Sequence, residues 1–474
     1  MRKFNKTNKT YRSMNNKNRS RRWFLSTMAL GTAGTFGAGK LLAHDGGDRV
    51  RLNNGKLSDL RDHTKLSLLN QAPDGPVLKA GVVGCGGRGT GAAVNFVDAG
   101  PNLEIVALGD VFQDQLDKCR NSLREARGIE VADNNCFTGF DAYQKVIDSG
   151  VDVVILATPP FFRPHHAKAA IEAGKHLFQE KPVAVDPYGA RIMDGVTQLA
   201  KEKNLCMVSG TIRRYQKDYQ ETQRRVASGE IGDIVGATII RNGGALWWIE
   251  RKPEWDDMEY MLRNWGNFSW LSGDHIVEMF VHEVDVMSWY LGANPVKAYG
   301  YGGRQQRISG DQFDQFSVAY EYENGVKVHC ATRQINGCGF QRVEHINGTK
   351  GYANASGTIY NLEGEPVWSY PYPKEGDSDQ SWKVNNAMVQ EHIELVTAIR
   401  TGTYLNDSDE IIRSSRVAIM GRMAAYTGQE ITWDEVLNSD LKLGPEKLEF
   451  GPVPGEWETP PVVGTPPVPV NRYG

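Results

Sequence analysis

The chain has 474 residues, with 54 Lys and Arg against 57 Asp and Glu and a formal net charge of −3. That length allows roughly two or three domains with sizeable cores. The slightly acidic balance argues against a nucleic-acid footprint, which needs a basic surface. The 6 cysteines show no C-x-x-C spacing, so neither a zinc site nor a redox dithiol is suggested.

Ser20-Arg21-Arg22-Trp23-Phe24-Leu25 resembles a twin-arginine export signal, and the basic residues before it fit that reading better than a nucleic-acid arm. The run Met28 to Gly39 follows, then Lys40 and a candidate cleavage point near Ala43. It is too short and too Gly/Ala-rich for a stable membrane span. Leu41 is not the small residue usual near a cleavage point, so both cleavage and retention as a membrane anchor stay open. Residues 1–43 are therefore expected to be targeting sequence that sends the protein to the periplasm, and 44–76 a polar linker.

From 77 to 205 apolar runs alternate with amphipathic ones. Strands are expected at 78–84, 103–108, 151–157, 176–179 and 205–209, and helices at 90–99, 112–126, 140–149, 164–173 and 186–202. Alternation of this kind builds a parallel sheet covered on both faces. Between the first strand and first helix stands Gly84-Cys85-Gly86-Gly87-Arg88-Gly89, and Asp110 ends the second strand-like run. A G-x-G-x-x-G in that setting, with an acid at that distance, is a dinucleotide signature. Gly84 permits the tight turn, Gly86 lets backbone approach a pyrophosphate, and Gly89 lets helix and strand pack closely. The helix N-terminus offers unpaired N–H groups to the phosphates. Asp110 would bond a ribose 2′-hydroxyl and repel a 2′-phosphate, which favours NAD over NADP.

After 206 the texture changes. Val235 to Arg241, Val296 to Gly302, Phe316 to Glu323 and Lys327 to Arg333 are β-rich, and Tyr322-Glu323-Asn324-Gly325 carries an Asn-Gly hairpin signal. One helix is expected at about 274–290, with others at Ala387 to Thr401 and Glu410 to Thr427. The fold class is an α/β Rossmann domain (77–205) followed by an α+β domain (206–440) with a largely antiparallel open sheet, and a Pro-rich extended tail (441–474). Cys330 and Cys338 have the spacing to bridge a hairpin but read better as small buried hydrophobes.

Thr158-Pro159 ends the strand at 151–157, and Ala173-Gly174-Lys175-His176 and Glu180-Lys181-Pro182 follow. With the Gly-rich turn, this order resembles the glucose–fructose oxidoreductase and inositol dehydrogenase family (Gfo/Idh/MocA), over about 77–435. The resemblance implies that Thr158 and Pro159 run along the cofactor, and that Glu180-Lys181-Pro182 crosses between domains with Lys181 beside the reacting carbon. It also implies that the outer face of the open sheet pairs with a second copy. A second matching segment runs from Gly273 to Asp285 and carries the family's acid, histidine and aspartate as Glu278, His282 and Asp285. Positions i and i+4 share a helix face, so Glu278 and His282 can both meet a bound hydroxyl, and Asp274 is an N-cap candidate. Three departures stand out: Glu278 replaces the usual aspartate, Arg163 replaces a histidine common in relatives, and His275 is additional.

Hydride transfer from a secondary alcohol needs a carbon held against the nicotinamide, a base for the hydroxyl proton and a donor for the developing oxyanion. His282 suits the base role. Lys181 would polarise the oxygen, and Glu278 would orient His282 or hold a neighbouring hydroxyl. A metal held by His275, Glu278 and His282 is the weaker reading, since that order matches no familiar zinc motif; no metal is expected. Of the 11 tryptophans, Trp247, Trp248, Trp255, Trp265, Trp270 and Trp289 cluster, as flat rings that stack on sugars or as core and interface. Arg213, Arg214, Arg263 and Asn264 are polar candidates beside them. Arg214, Trp265, Trp270 and His275 are the expected substrate contacts.

Export carries a mechanistic consequence. Free NAD is scarce outside the cytoplasm, so a retained NAD regenerated within each cycle is expected. Three functions remain open: an oxidoreductase acting on a secondary hydroxyl of a sugar or glycoside, possibly at C3; a redox-neutral glycoside hydrolase using transient oxidation and elimination; and an inactive Rossmann protein that binds sugar or nucleotide.

Overall fold

The computed structural model describes residues 69–372 and 386–455. The twin-arginine segment 1–43, most of the 44–76 linker and the end of the tail lie outside the described residues.

Six strands form the first sheet: β1 (Leu78–Val83), β2 (Leu103–Asp110), β3 (Cys136–Thr138), β4 (Val153–Leu156), β5 (His176–Gln179) and β6 (Met207–Ser209). Their order is β3-β2-β1-β4-β5-β6 and every neighbouring pair is parallel. The order reverses direction at β1, which places a crevice beyond the carboxyl ends of β1 and β4. All four residues of β4 are buried, as a strand covered on both faces requires. The covering helices are α1 (Gly87–Asp98), α2 (Gln113–Arg127), α3 (Ala142–Asp148), α4 (Arg163–Glu172) and α5 (Pro187–Glu202). Asp186 caps α5, accepting a bond from Gly189 N at 2.6 Å. The short β3 has no clear apolar signal and escapes the sequence reading.

The second sheet has nine strands. They are β7 (Ile234–Gly243), β8 (Lys297–Gly303), β9 (Gln315–Glu321), β10 (Lys327–Gln334), β11 (Gln341–Gly348), β12 (Gly351–Asn354), β13 (Thr358–Asn361), β14 (Pro366–Ser369) and β15 (Ile431–Thr432). Their order is β14-β13-β12-β11-β7-β10-β9-β8-β15. The pairs are antiparallel except β7 with β10, which run parallel. The Asn-Gly signal marks the β9–β10 hairpin, where Gly325 has φ +79° and Tyr322 and Val326 close the turn. Burial alternates along β9 and β10, so one face packs inward.

Helices α6 (Lys217–Ala227), α7 (Asp257–Arg263), α8 (Ser269–Ser272), α9 (His275–Glu278) and α10 (Val281–Leu291) belong to this half. The single helix expected at 274–290 is therefore two, broken at Met279 and Phe280. Asp274 does cap α9, at φ +71°, and its carboxylate also accepts from Phe313 N and the Tyr426 hydroxyl.

Three helices follow: α11 (Ala387–Thr401), α12 (Ser408–Thr427) and α13 (Trp433–Asn438). Although α11 follows the second sheet in sequence, it packs on the first: His392 lies against Phe96 and Phe178 at ring separations of 5.9 and 4.2 Å. One apolar cluster joins the halves, from Val83 and Leu156 through Val284 and Tyr320 to Val417 on α12. Cys330 lies in this core and Cys338 on the surface, both as free thiols. Residues 441–455 form no helix or strand, yet Leu443 and Val453 are buried. Among the described residues no helix is long and apolar enough to cross a membrane.

Candidate active site

The Gly-rich turn leaves β1 at Val83. Gly84 has φ +92°, and a Cβ there would lie 2.7 Å from the Ala157–Thr158 backbone. A Cβ on Gly89 would sit 1.8 Å from the Gly84 carbonyl oxygen. Both positions therefore exclude side chains for reasons internal to the protein. Gly86 and Gly87 differ: a Cβ at either would meet nothing within 4 Å. They border a cavity of about 550 Å³, along with Gly84, Arg88, Gly89 and Asp110. Among the described residues no side chain caps the N-terminus of α1, and no acid lies in its first turn, which leaves a positive dipole end beside the cavity.

Asp110 holds the turn in place. Its two carboxylate oxygens accept from Cys85 N at 2.7 Å and Phe112 N at 2.9 Å, and burial pushes its pKa up despite these bonds. Thr158 and Pro159 also line the cavity, and the buried Thr158 hydroxyl has no partner among the described residues. A dinucleotide fits this donor set: an open glycine cradle, a helix N-terminus, a ribose acceptor and an orphaned hydroxyl. The sequence reading misses His166, whose ring stacks between Tyr143 and Phe162 at 4.1 and 5.7 Å. Burial pushes its pKa down to about 3, so it is neutral. All three rings line the cavity.

Beyond β5, Arg88 bonds to the Glu180 carboxylate. The next residue, Lys181, reaches across to the second half: its Nζ donates to Glu278 Oε1 at 2.8 Å and to the Glu278 carbonyl at 2.5 Å. Both side chains are nearly buried, at 10 and 12% exposure. His282 lies close enough to feel the Lys181 charge. Burial, then Lys181, Arg213, Arg241 and Arg342, hold its pKa well below the usual histidine value. A neutral imidazole there is a proton acceptor. Lys181, Glu278 and His282 are thus brought together, outside the lining of the large cavity but linked to it through Glu180 and Arg88. Glu278 pairs with Lys181 instead of orienting His282. Arg163 is buried beside this group and donates to the Pro182 carbonyl at 2.6 Å.

Several expected substrate contacts need correction. Arg214 is 1% exposed, chelating Asp285 at 2.8 and 2.9 Å and pairing with Glu410, with Trp289 over its guanidinium. Arg213 is equally internal, paired with Glu283 at 2.6 Å and Glu344 at 3.2 Å. Trp270 is fully buried against Phe161 and Phe162, and His275 is buried against Phe316. Asn264 is a staple, bonding both ways with the Ile249 backbone. All five side chains are buried, and none of them lines the cavity. Of the tryptophans, Trp247 and Trp265 line the cavity, and so does Arg263.

The family model for the "Oxidoreductase family, NAD-binding Rossmann fold" matches residues 78–211, and the model for the "GFO/IDH/MocA C-terminal domain" matches 219–354. Together they cover more than half of the chain. The protein belongs to the Gfo/Idh/MocA oxidoreductase family.

This Gfo/Idh/MocA member is 24% identical over 278 residues to scyllo-inositol 2-dehydrogenase (NAD(+)) of Bacillus subtilis (strain 168), covering 58% of this chain and 72% of that one. It is 27% identical over 281 residues to 2,7-anhydro-N-acetylneuraminate hydratase of Escherichia coli (strain K12), covering 58% and 66%. Several other curated relatives are matched over less than two thirds of their length, 60 to 66%. The crystal structure of scyllo-inositol dehydrogenase from Lactobacillus casei, with bound NAD(H) and scyllo-inositol, superposes with a TM-score of 0.56 at 19% identity, covering 75% of this chain and 99% of that one. The fold is thus shared with a dinucleotide-bound relative. NAD is the cofactor of the family's Rossmann domain, and the glycine cradle, Asp110 and Thr158 are the residues that would hold it here.

Proposed function

We propose that the protein is an NAD-dependent oxidoreductase acting on a secondary hydroxyl of a sugar or glycoside, working in the periplasm with a cofactor it does not release. The observation that carries this reading is the Lys181–Glu278 pair beside a neutral His282, joined through Glu180 and Arg88 to the dinucleotide cavity. Bound NAD supplies a hydride acceptor. His282 takes the hydroxyl proton on its ring nitrogen as the C–H bond weakens. The Lys181 ammonium donates to the developing alkoxide, and Glu278 fixes the ammonium by two bonds. The named relatives that act on polyols and an anhydro sugar acid support a polyhydroxylated substrate. The twin-arginine motif at Arg21 and Arg22 supports export, and the scarcity of NAD outside the cytoplasm supports retention.

Incubation of the purified protein with a panel of glycosides and an artificial electron acceptor, with products read by mass spectrometry, tests the proposal. A ketosugar that accumulates only with acceptor, and is lost in Lys181→Met, is the expected result. No ketosugar from any glycoside would overturn it. A redox-neutral route is a second reading, favoured by the relative named as a hydratase, a reaction without net oxidation. Its signature is free aglycone released without acceptor.

A further inference from the structure

We infer that residues outside the nucleotide-binding half, namely Trp247, Arg263 and Trp265 of the second half and Phe450 of the C-terminal segment, form an outer wall over the adenosine end of the NAD site and prevent the dinucleotide from exchanging. The inference rests on the retained-cofactor reading and assigns it to particular side chains.

Asp110 marks the ribose of the adenosine half, and Phe112 and Phe140 line the cavity beside it. In an isolated Rossmann domain this end would open to water. Here Arg263 lies with its guanidinium 4.0 Å from the Phe112 ring centroid and pairs with Asp114 at 3.1 Å. It therefore docks the second half onto the strand end that carries Asp110. Trp247 and Trp265 meet edge to face at 5.5 Å and border the same cavity. The two segments are tied together: Asn267 Nδ2 donates to the Trp247 carbonyl at 2.9 Å, and Ile249 N donates to Asn264 Oδ1 at 2.7 Å.

Phe450 packs on two rings that line the cavity, Phe112 at 6.0 Å and Phe140 at 5.3 Å. The segment that carries it is tied to both halves. Leu443 N donates to Asp186 on the first half at 2.7 Å. On the second half, Met258 N donates to the Gly451 carbonyl at 3.2 Å and Val453 N to Asp257 at 3.0 Å. Trp247 and Phe450 are each 45% exposed, so each ring has one side on the protein and one on solvent. Trp247 borders the cavity and Phe450 packs on two of its lining rings, so both lie on its outer side. Closing contacts of this kind act on dissociation far more than on association.

The test uses the full chain, purified without added nucleotide. Bound NAD is quantified by mass spectrometry after prolonged dialysis, and its release is timed with an NAD-consuming trap enzyme. Wild type is expected to stay loaded, while Phe450→Ser and Trp247→Ala release NAD about 10-fold faster or more. Phe450→Trp is expected to restore slow release, which a merely destabilised fold would not do. Equal release rates from wild type and both variants would overturn the inference and leave the NAD assignment standing. Failure of every form to bind added NAD would overturn both.

Discussion

Lys181 donates from one ammonium to two oxygens of the same residue, the carboxylate and the main-chain carbonyl of Glu278. The contact crosses from the end of the first sheet to the helix pair of the second half, so it fixes the ammonium relative to His282. Lys181→Met is expected to lower turnover by about 10²–10⁴-fold, the range for a lost proton-transfer or oxyanion group. NAD content, read by mass spectrometry, should be unchanged, because Lys181 does not line the dinucleotide cavity.

His282 is held neutral, chiefly by burial and then by the surrounding cations. A base whose pKa lies well below 6.5 remains ready throughout the neutral range. The rate is expected to be flat from pH 8 to below the usual histidine range and to fall only on the acid side, as the ring takes a proton. His282→Gln should abolish that acid limb along with most of the turnover. A profile that already falls between pH 7.5 and 6 would contradict the assignment.

Gly86 has open space where a Cβ would go, whereas Gly89 does not. Gly86→Val is therefore expected to leave the melting temperature nearly unchanged while sharply weakening NAD binding. Gly89→Val is expected to lower both, since its side chain would strike the Gly84 carbonyl. Asp110→Asn should raise the ratio of NADP to NAD affinity by about 10-fold or more, because it removes the charge that repels a 2′-phosphate. Thermal melts, and calorimetric titration of protein freed of bound nucleotide with NAD and with NADP, check all three variants.

Two buried groups on α11 pull the pH dependence of stability in opposite directions. His392 has its pKa pushed down to about 3 by burial. Below pH 6.5 the unfolded chain takes up a proton that the folded ring refuses, so stability falls with pH, by about 2 kcal/mol at pH 5. Burial first, and Glu180 next, push Glu391 well above its ordinary value. Its folded form keeps a proton that the unfolded form sheds above pH 4.5, so stability falls as pH rises. Urea midpoints from pH 5 to 8 should show His392→Phe flattening the acid side, and Glu391→Gln stabilising most at the alkaline end.

Arg214 tests the corrected view of the second half. Removing one member of a buried ion pair leaves the other charge unpaired, at a cost of about 3–5 kcal/mol. Arg214→Met is expected to destabilise the fold by that order in a urea titration. Were Arg214 a substrate contact, the same change would raise KM and leave stability alone.

The features legible in the sequence are those imposed by local backbone chemistry. Gly84 and Gly89 follow from a turn that admits no Cβ there, Gly86 from a backbone left open to a pyrophosphate, and Asp110 from a strand end that must carry an acceptor. The Asn324-Gly325 turn announces its hairpin for the same reason. Lys181, Glu278 and His282 came instead from a resemblance, since no spacing rule brings residue 181 to residue 278. The misplaced substrate contacts share one cause: burial is a property of the packed molecule. Arg214, His275 and Trp270 carry polar or aromatic groups that read alike on a surface and in a core, and only the partners Asp285, Glu410, Phe316 and Phe161 tell them apart. The break at Met279–Phe280 has neither glycine nor proline to mark it. Strands β12 to β14 are 4 residues each, too brief for an alternating pattern to stand out.

The ties from residues 441–455 to Asp186, Asp257 and Met258 also set an order of events in the cell. Those residues leave the ribosome after both surfaces they bridge have been made. Until residues 441–455 are made, the first and second halves lack that bridge. The packing of Phe450 on Phe112 and Phe140 is thereby among the last parts of the described fold that can form.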